Sequence, residues 1–162
     1  MVLIFATINV KTQMARSFEP CKNKENAIFI CNVGEKIASL CQRKYTKQLQ
    51  YKFGQKSKYE LIYPSPPTGS IEKFKLSTSP APGGGENRIR FTNRIYSYFI
   101  YDITKSQQDT APLNSIQTAG IAVYTNGKRI ANIKCENSET SISSLAFEIL
   151  QREEFSYDID TD

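Results

Sequence analysis

The chain has 162 residues, 40% of them hydrophobic, and a formal net charge of +5. This length and apolar content fit one folded domain with a sizeable core, and they exclude a globally disordered chain. There is no histidine, which excludes the usual serine and cysteine triads and most zinc sites. The acidic residues show no paired spacing on one predicted strand. We therefore predict a non-enzymatic protein with no catalytic residue, no metal site and no cofactor.

Residues 1–15 are predicted to be a signal peptide. Residues 2–10 form an apolar run with the length of a leader, far too short to span a bilayer. An edge strand of the fold is the alternative interpretation of that run. Residues 16–162 are then a single β domain that ends in a polar, acidic tail.

Short runs rich in β-branched and aromatic residues alternate with turn signals, which is typical of a sandwich or a barrel. The predicted strands span residues 27–33, 36–41, 48–53, 58–63, 71–76, 87–92, 94–103, 120–125 and 128–135. Gly34-Glu35 suits a type II′ hairpin turn and Asn126-Gly127 a type I′ turn. We predict an all-β, mainly antiparallel fold of about eight to nine strands, as a small barrel or sandwich.

Three segments are predicted loops: residues 64–69 and 77–85, rich in proline and glycine, and the polar residues 104–115. Proline lacks the donor that a β ladder needs, and long loops commonly carry binding surfaces. After the Ser/Thr-rich residues 138–144, apolar spacing predicts one short amphipathic C-terminal helix. Its apolar residues are Ile142, Leu145, Phe147, Ile149 and Leu150.

The four cysteines, Cys21, Cys31, Cys41 and Cys135, are an even number without a Cys-x-x-Cys pair, which favours two disulfides. In a hairpin that turns at Gly34-Glu35, Cys31 and Cys41 point to opposite faces, so a bridge between them is disfavoured. Two pairings remain: Cys21 with Cys41 and Cys31 with Cys135, or Cys21 with Cys31 and Cys41 with Cys135. Together with the leader, disulfides predict a periplasmic or secreted bacterial protein.

Charge is distributed unevenly along the chain. Residues 36–58 carry seven basic and no acidic residues, whereas residues 148–162 carry six acidic residues against one arginine. The basic run interleaves lysine with tyrosine, and its candidate binding residues are Lys44, Lys47, Lys52, Lys56, Tyr45 and Tyr51. We expect a protein partner in the cell envelope or an anionic surface, no nucleic acid because of export, and no transmembrane segment. Solvated faces are the alternative interpretation of both charged regions.

Several short motifs lie along the predicted strands. They are Phe-x-Cys31, Leu49-x-Tyr-x-Phe-Gly54, Glu60-Leu-x-Tyr-Pro64, Arg90-Phe91 and Val123-Tyr-x-Asn-Gly-Lys-Arg-Ile-Ala-x-x-x-Cys135. Over residues 27–135 this pattern resembles small, mostly uncharacterised periplasmic proteins of bacteria.

A cysteine in the first strand and another at the end of the last strand are similar in layout to the small barrel of membrane-bound inhibitors of c-type lysozyme. That layout implies the pairing of Cys31 with Cys135. The Ser-Gly-x-x-Tyr loop and the later Lys-Gly of those inhibitors do not occur in place. Their inhibitory residues therefore have no counterparts in this chain.

These observations predict an exported, non-enzymatic envelope protein that binds a macromolecular partner, as an inhibitor or immunity protein against a wall-degrading hydrolase or a toxin. The alternatives are a carboxylate-dependent enzyme acting on envelope polymers and a structural component of an envelope complex. The basic run and the three loops are the two candidates for the binding surface.

Overall fold

The chain folds into two β sheets that pack face to face. The computed structural model describes residues 20–55, 58–65, 70–107 and 114–161, and the predicted signal peptide lies outside them. The strands are β1 (Glu25–Val33), β2 (Lys36–Arg43), β3 (Leu49–Gln55), β4 (Lys58–Tyr63), β5 (Lys75–Ala81), β6 (Gly84–Asn93), β7 (Tyr96–Gln107), β8 (Asn114–Thr125), β9 (Lys128–Lys134) and β10 (Gln151–Arg152). One helix, α1 (Ser144–Ile149), and a 3₁₀ turn, Ile71–Lys73, complete the described elements.

The first sheet has the order β1-β2-β3-β4 and the second the order β10-β5-β6-β7-β8-β9. All neighbours are antiparallel except β10, which runs parallel to β5. The prediction of an all-β, mainly antiparallel fold is confirmed. Because the two sheets stay separate, the fold is a sandwich, and the barrel alternative is wrong. Among the described residues, no helix is long and apolar enough to cross a membrane.

The two hairpin turns that the sequence predicts are both present. Val33 lies opposite Lys36 and Cys31 opposite Ala38, with Gly34 at φ 57. Asn126 and Gly127 have φ values of 49 and 73, and positive φ at both central residues is what a type I′ turn requires. The register predicted for the first hairpin is therefore confirmed.

The core lies between the sheets, where inward side chains of neighbouring strands meet. Leu40 lies opposite Phe29 on one side and Tyr51 on the other, and all three are almost fully buried. The Tyr51 ring packs on Phe91 of the second sheet at a centroid distance of 4.9 Å, and Phe91 stacks on Tyr98 at 4.7 Å. Burial raises the pKa of Tyr51 well above its ordinary value, and nearby Tyr98 raises it further.

The prediction of a loop over residues 77–85 is wrong. β5 and β6 form a hairpin through this stretch, with Pro80 opposite Gly85. Proline is tolerated because β5 pairs with β10 only at Lys75 and Leu76, so the outer side of Pro80 needs no backbone donor. The predicted loop at residues 104–115 is also too long, since β7 continues to Gln107 and β8 begins at Asn114. Both strands extend past the core, which is why their ends are polar.

Two predicted strands include residues of the turn that precedes the observed strand. Residues 71–73 form the 3₁₀ turn, so β5 begins only at Lys75. Arg94 and Ile95 form the turn between β6 and β7, with Arg94 at φ 57. Neither central residue of this turn is a glycine or an asparagine, so the sequence does not show the usual hairpin signal. The predicted C-terminal helix is present as α1, whose N-cap Ser143 accepts a hydrogen bond from the Leu145 amide at 3.3 Å.

Candidate functional site

Two disulfides attach the first strands to the rest of the fold. Cys21 bonds to Cys41 with 5.5 Å between the Cα atoms, and Cys31 bonds to Cys135 with 5.1 Å. This is one of the two pairings that the sequence left open, and it includes the pairing implied by the inhibitor layout. The second bridge ties β1 of one sheet to the segment after β9 of the other. The first bridge fixes the segment before β1 against β2.

The Cys21–Cys41 bridge assembles a cluster of cations at the turn between β2 and β3. Glu25 lies opposite Arg43, and the Lys44 amide donates to the Lys24 carbonyl at 2.9 Å. The exposed side chains gathered there are Lys22, Lys24, Arg43, Lys44 and Lys47. We call these five residues, together with Tyr45 and Thr46, the basic tip.

Backbone and side-chain hydrogen bonds make the basic tip rigid. The Arg43 amide donates to the Gln48 carbonyl at 2.9 Å, and the Thr46 hydroxyl donates to the Arg43 carbonyl at 2.9 Å. The same hydroxyl accepts from the Gln48 amide at 3.1 Å. From outside the turn, the Ile71 amide donates to the Lys47 carbonyl at 2.9 Å. A surface ordered in this way loses little conformational entropy when it binds a partner.

Tyr45 is the most unusual residue of the basic tip. Its side chain is fully exposed, and its backbone has φ 61. The left-handed region costs a residue other than glycine about 1–2 kcal/mol, and this exposed ring recovers none of that cost by burial. Strained residues are concentrated at functional sites, and exposed tyrosines are common anchors of protein interfaces. Tyr45 is therefore the residue of the tip whose exposure and backbone conformation the packing of the fold leaves unexplained.

The positive charge of the basic tip is not neutralised within the part of the chain that the structure describes. None of its five cations forms an ion pair with a described carboxylate. Glu25, the carboxylate of the adjoining strand, accepts from the Lys22 amide at 2.8 Å and pairs with Lys52 at 3.4 Å. Like charges on adjoining strands repel, so an anionic partner would stabilise this arrangement.

A pocket of about 400 Å³ opens beside the basic tip. Its lining includes Thr46 and Lys47 of the tip, Ile71 and Glu72 of the 3₁₀ turn, and Ile149 of α1. A volume of this size can hold a side chain of a partner. The tip thus combines a projecting ring, cations without a carboxylate partner among the described residues and an adjacent concave surface.

The residues predicted for a binding surface fall into three groups. Lys44, Tyr45 and Lys47 lie together at the tip. Tyr51 and Lys52 of β3 are buried, at 2% and 5% exposure. Tyr51 packs in the core between the sheets, whereas Lys52 lies on the opposite face of β3, where it pairs with Glu25 at 3.4 Å. Lys56 lies outside the described residues.

Lys22 and Lys24 join the tip although the basic run does not include them. The signal that could have identified them is the cysteine at position 21, since its pairing with Cys41 brings the segment before β1 to the end of β2. The sequence left that pairing open.

The acidic end of the chain has a different arrangement. Residues 153–161, which we call the C-terminal strap, cross the outer face of the second sheet. Buried Arg88 donates to the carbonyls of Ser156 and Ile159, each at 2.8 Å. The Tyr124 hydroxyl donates to the Asp160 carbonyl at 2.6 Å and accepts from the Asp160 amide at 2.8 Å. The strap therefore belongs to the folded domain and is not a solvated tail.

One buried carboxylate lies apart from the basic tip. Asp102 of β7 is 4% exposed, and it accepts hydrogen bonds from the Asn87 side chain at 2.7 Å and the Ile142 amide at 2.6 Å. Burial raises the pKa of Asp102, while these hydrogen bonds lower it in part. Both carboxyl oxygens are engaged, one of them with the segment that leads into α1. Asp102 therefore has a structural role: it anchors the segment that leads into α1 to β7.

Comparisons of the chain with protein-family models, curated proteins and solved structures give no match. The resemblances drawn from the sequence therefore stay predictions.

Proposed function

We propose that this protein is an exported, non-enzymatic binding protein that captures an acidic protein of the cell envelope through its basic tip. The observation that carries the proposal is Tyr45, fully exposed in a left-handed conformation among five cations without carboxylate partners in the described chain. Two disulfides support export, because such bonds persist mainly in oxidising compartments.

A protein partner fits the tip better than a lipid or a polymer does. Unpaired lysines alone would attract any polyanion, but the projecting ring of Tyr45 and the adjacent pocket call for a shaped surface. Tyrosine and arginine are both enriched in protein interfaces. Both occur in the tip, as Tyr45 and Arg43.

The cleft of a wall-degrading glycosidase has suitable chemistry, because such enzymes cleave with a pair of carboxylates that flank the bond. A rigid cationic hairpin that carries one aromatic ring is complementary to a cleft of that kind. Inhibition of such a hydrolase or of an acidic toxin is the specific form of the proposal.

The test is a capture experiment with matched charge variants. Immobilised wild type, the variant Lys44→Glu/Lys47→Glu and the control Arg94→Glu/Lys128→Glu would each be incubated with the same envelope extract. The control reverses the same number of charges at the opposite hairpin turns. We expect one protein to be retained by wild type and control but lost from the tip variant.

The retained protein would then be purified and its Kd measured at increasing salt. Because rim charges act through screened electrostatics, reversal of the two tip lysines should raise Kd about 100-fold at low salt and much less at high salt. Equal retention by all three baits would reject the tip as the binding surface. Turnover of peptidoglycan by the purified protein itself would favour the enzyme alternative.

A further inference from the structure

A second concave surface lies between the two sheets, apart from the basic tip. It is a cleft of about 350 Å³ lined mainly by apolar side chains from β3, β4, β7, β8 and β9. Its floor includes Tyr51, Ile121 and Val123, which are core residues with at most 7% exposure. The cleft therefore reaches into the core of the sandwich and is not a shallow surface depression.

The mouth of the cleft is also apolar. Ile130 of β9 lines it and is 54% exposed, while Ile95 in the β6–β7 turn, next to the cleft residue Tyr96, is 66% exposed. Tyr98 lines the cleft as well, and burial raises the pKa of its hydroxyl. An apolar floor with an apolar mouth suits a long hydrocarbon group that enters from solvent.

Two hairpin turns place cations beside this mouth. Tyr96 lies opposite Thr125, so the turn that contains Arg94 adjoins the turn that leads to Lys128. Arg94 and Lys128 are exposed, and neither forms an ion pair with a carboxylate among the described residues. Asp160, at this end of the second sheet, pairs with Arg129 at 3.1 Å.

The opposite side of the cleft is electrically balanced. Glu60 lines it and pairs with Lys36 at 2.9 Å, and the Lys36 ammonium lies 5.5 Å from the centroid of the Phe53 ring. The one charged side chain among the described residues that line the cleft is thus neutralised, and the exposed cations Arg94 and Lys128 lie beyond its other side. A ligand with an apolar chain and one anionic head at its end would match both features.

We propose that this cleft binds a free single-chain carboxylate amphiphile of the fatty-acid type. The hydrocarbon chain lies on Tyr51, Ile121 and Val123, and the carboxylate lies between Arg94 and Lys128. This site is independent of the proposed capture of an acidic protein by the basic tip.

The test is a fluorescence titration with 11-(dansylamino)undecanoic acid, followed by displacement with dodecanoate. Wild type should enhance and blue-shift the dansyl emission, and dodecanoate should reverse the change. Ile130→Glu should raise the Kd of the probe about tenfold, because it places a carboxylate at the apolar mouth. The matched control is Ile116→Glu, since Ile116 of β8 is 49% exposed and does not line the cleft. It should change Kd by less than about twofold.

The head group is tested with a second variant and uncharged or cationic competitors. Arg94→Ala/Lys128→Ala should weaken dodecanoate several-fold and leave dodecanol unaffected, and dodecyltrimethylammonium should compete poorly with wild type. Thermal melting would check that each variant is folded. A wild type that does not bind the probe, or an Ile130→Glu variant that binds it normally, overturns the proposal. Binding only to phosphatidylglycerol vesicles, without displacement by dodecanoate, also overturns it.

Discussion

The basic tip and the C-terminal strap both concentrate charges of one sign, but they differ in whether the described fold supplies partners of the opposite charge. The strap carries Glu153, which accepts from Arg90 at 2.5 and 2.9 Å, and Asp160, which pairs with Arg129 at 3.1 Å. The cations of the tip have no such partners among the described residues. The acidic region contributes to folding, whereas the basic region presents its charge to solvent.

This difference depends on what lies opposite each charged segment. The outer face of the second sheet offers Arg88, Arg90 and Arg129 from β6 and β9 to the strap, and a local apolar cluster of Phe99, Tyr101, Ile103, Ala122 and Tyr124 lies under it. The tip lies at the end of the first sheet, where the β2–β3 turn adjoins the segment before β1 that carries Lys22 and Lys24. A run of like charges thus has a structural role where a facing element carries opposite charges, and it stays exposed to solvent where the described residues offer none.

The largest expected effect comes from removing the two disulfides one at a time, since one bridge holds the basic tip and the other joins the two sheets. The chain-entropy model gives about 4.7 kcal/mol for a loop of about 100 residues and about 3 kcal/mol for one of about 20, and the sequence separations are 104 and 20. Cys31→Ser/Cys135→Ser should therefore lower the free energy of unfolding more than Cys21→Ser/Cys41→Ser, as measured by urea denaturation.

Only the Cys21→Ser/Cys41→Ser variant should weaken capture of the acidic partner, because it alone releases Lys22 and Lys24 from the tip. Equal losses of affinity in both folded variants would contradict the separation of tip and core.

Removal of Arg88 should detach the strap. Arg88 is 4% exposed, pairs with Glu86 at 2.5 Å and lies 4.0 Å from the Phe155 ring centroid. Arg88→Ala should cost about 3 kcal/mol, because it leaves Glu86 partly buried without its cation. Hydrogen exchange should show faster exchange of the amides of Glu153 and Asp160, which are hydrogen-bonded in the wild type.

The matched control is Arg43→Ala at the basic tip, which should change stability by less than about 0.5 kcal/mol because Arg43 is exposed and forms no ion pair with the described carboxylates. A strap whose amides remain protected in Arg88→Ala would show that its apolar contacts suffice.

Apart from the control variants, the smallest expected change in stability concerns Tyr45. Tyr45→Gly should raise the free energy of unfolding by about 0.5–1 kcal/mol, because glycine adopts positive φ without the steric cost. The same variant should raise the Kd for the captured partner about tenfold or more, as for the loss of an interface anchor. Tyr45→Phe would serve as the control that keeps the ring. A Tyr45→Gly protein that binds the partner normally would show that Tyr45 is not an interface anchor.

The first hairpin and the β5–β6 hairpin show how far the sequence predicts the fold. At Gly34-Glu35, glycine and strict alternation identify both turn and register. Over residues 77–85, proline and glycine predict a loop, yet the edge position of β5 lets Pro80 remain in a strand. Lys52 is a similar case. The alternation of lysine and tyrosine predicts that it is exposed to solvent, but it is buried and pairs with Glu25 at 3.4 Å.

The sequence by itself determined the all-β class, the two glycine-bearing turns, the face of each cysteine in the first hairpin and the C-terminal helix. These depend on backbone preferences and side-chain alternation, which are set by residues adjacent in the chain. Only the tertiary structure decided that Cys21 pairs with Cys41, that the acidic end is a strap and that the cations of the tip form no ion pair with a described carboxylate. Those outcomes depend on which elements lie opposite one another. Contacts between residues that are far apart in the chain leave no pattern among neighbouring residues of the sequence.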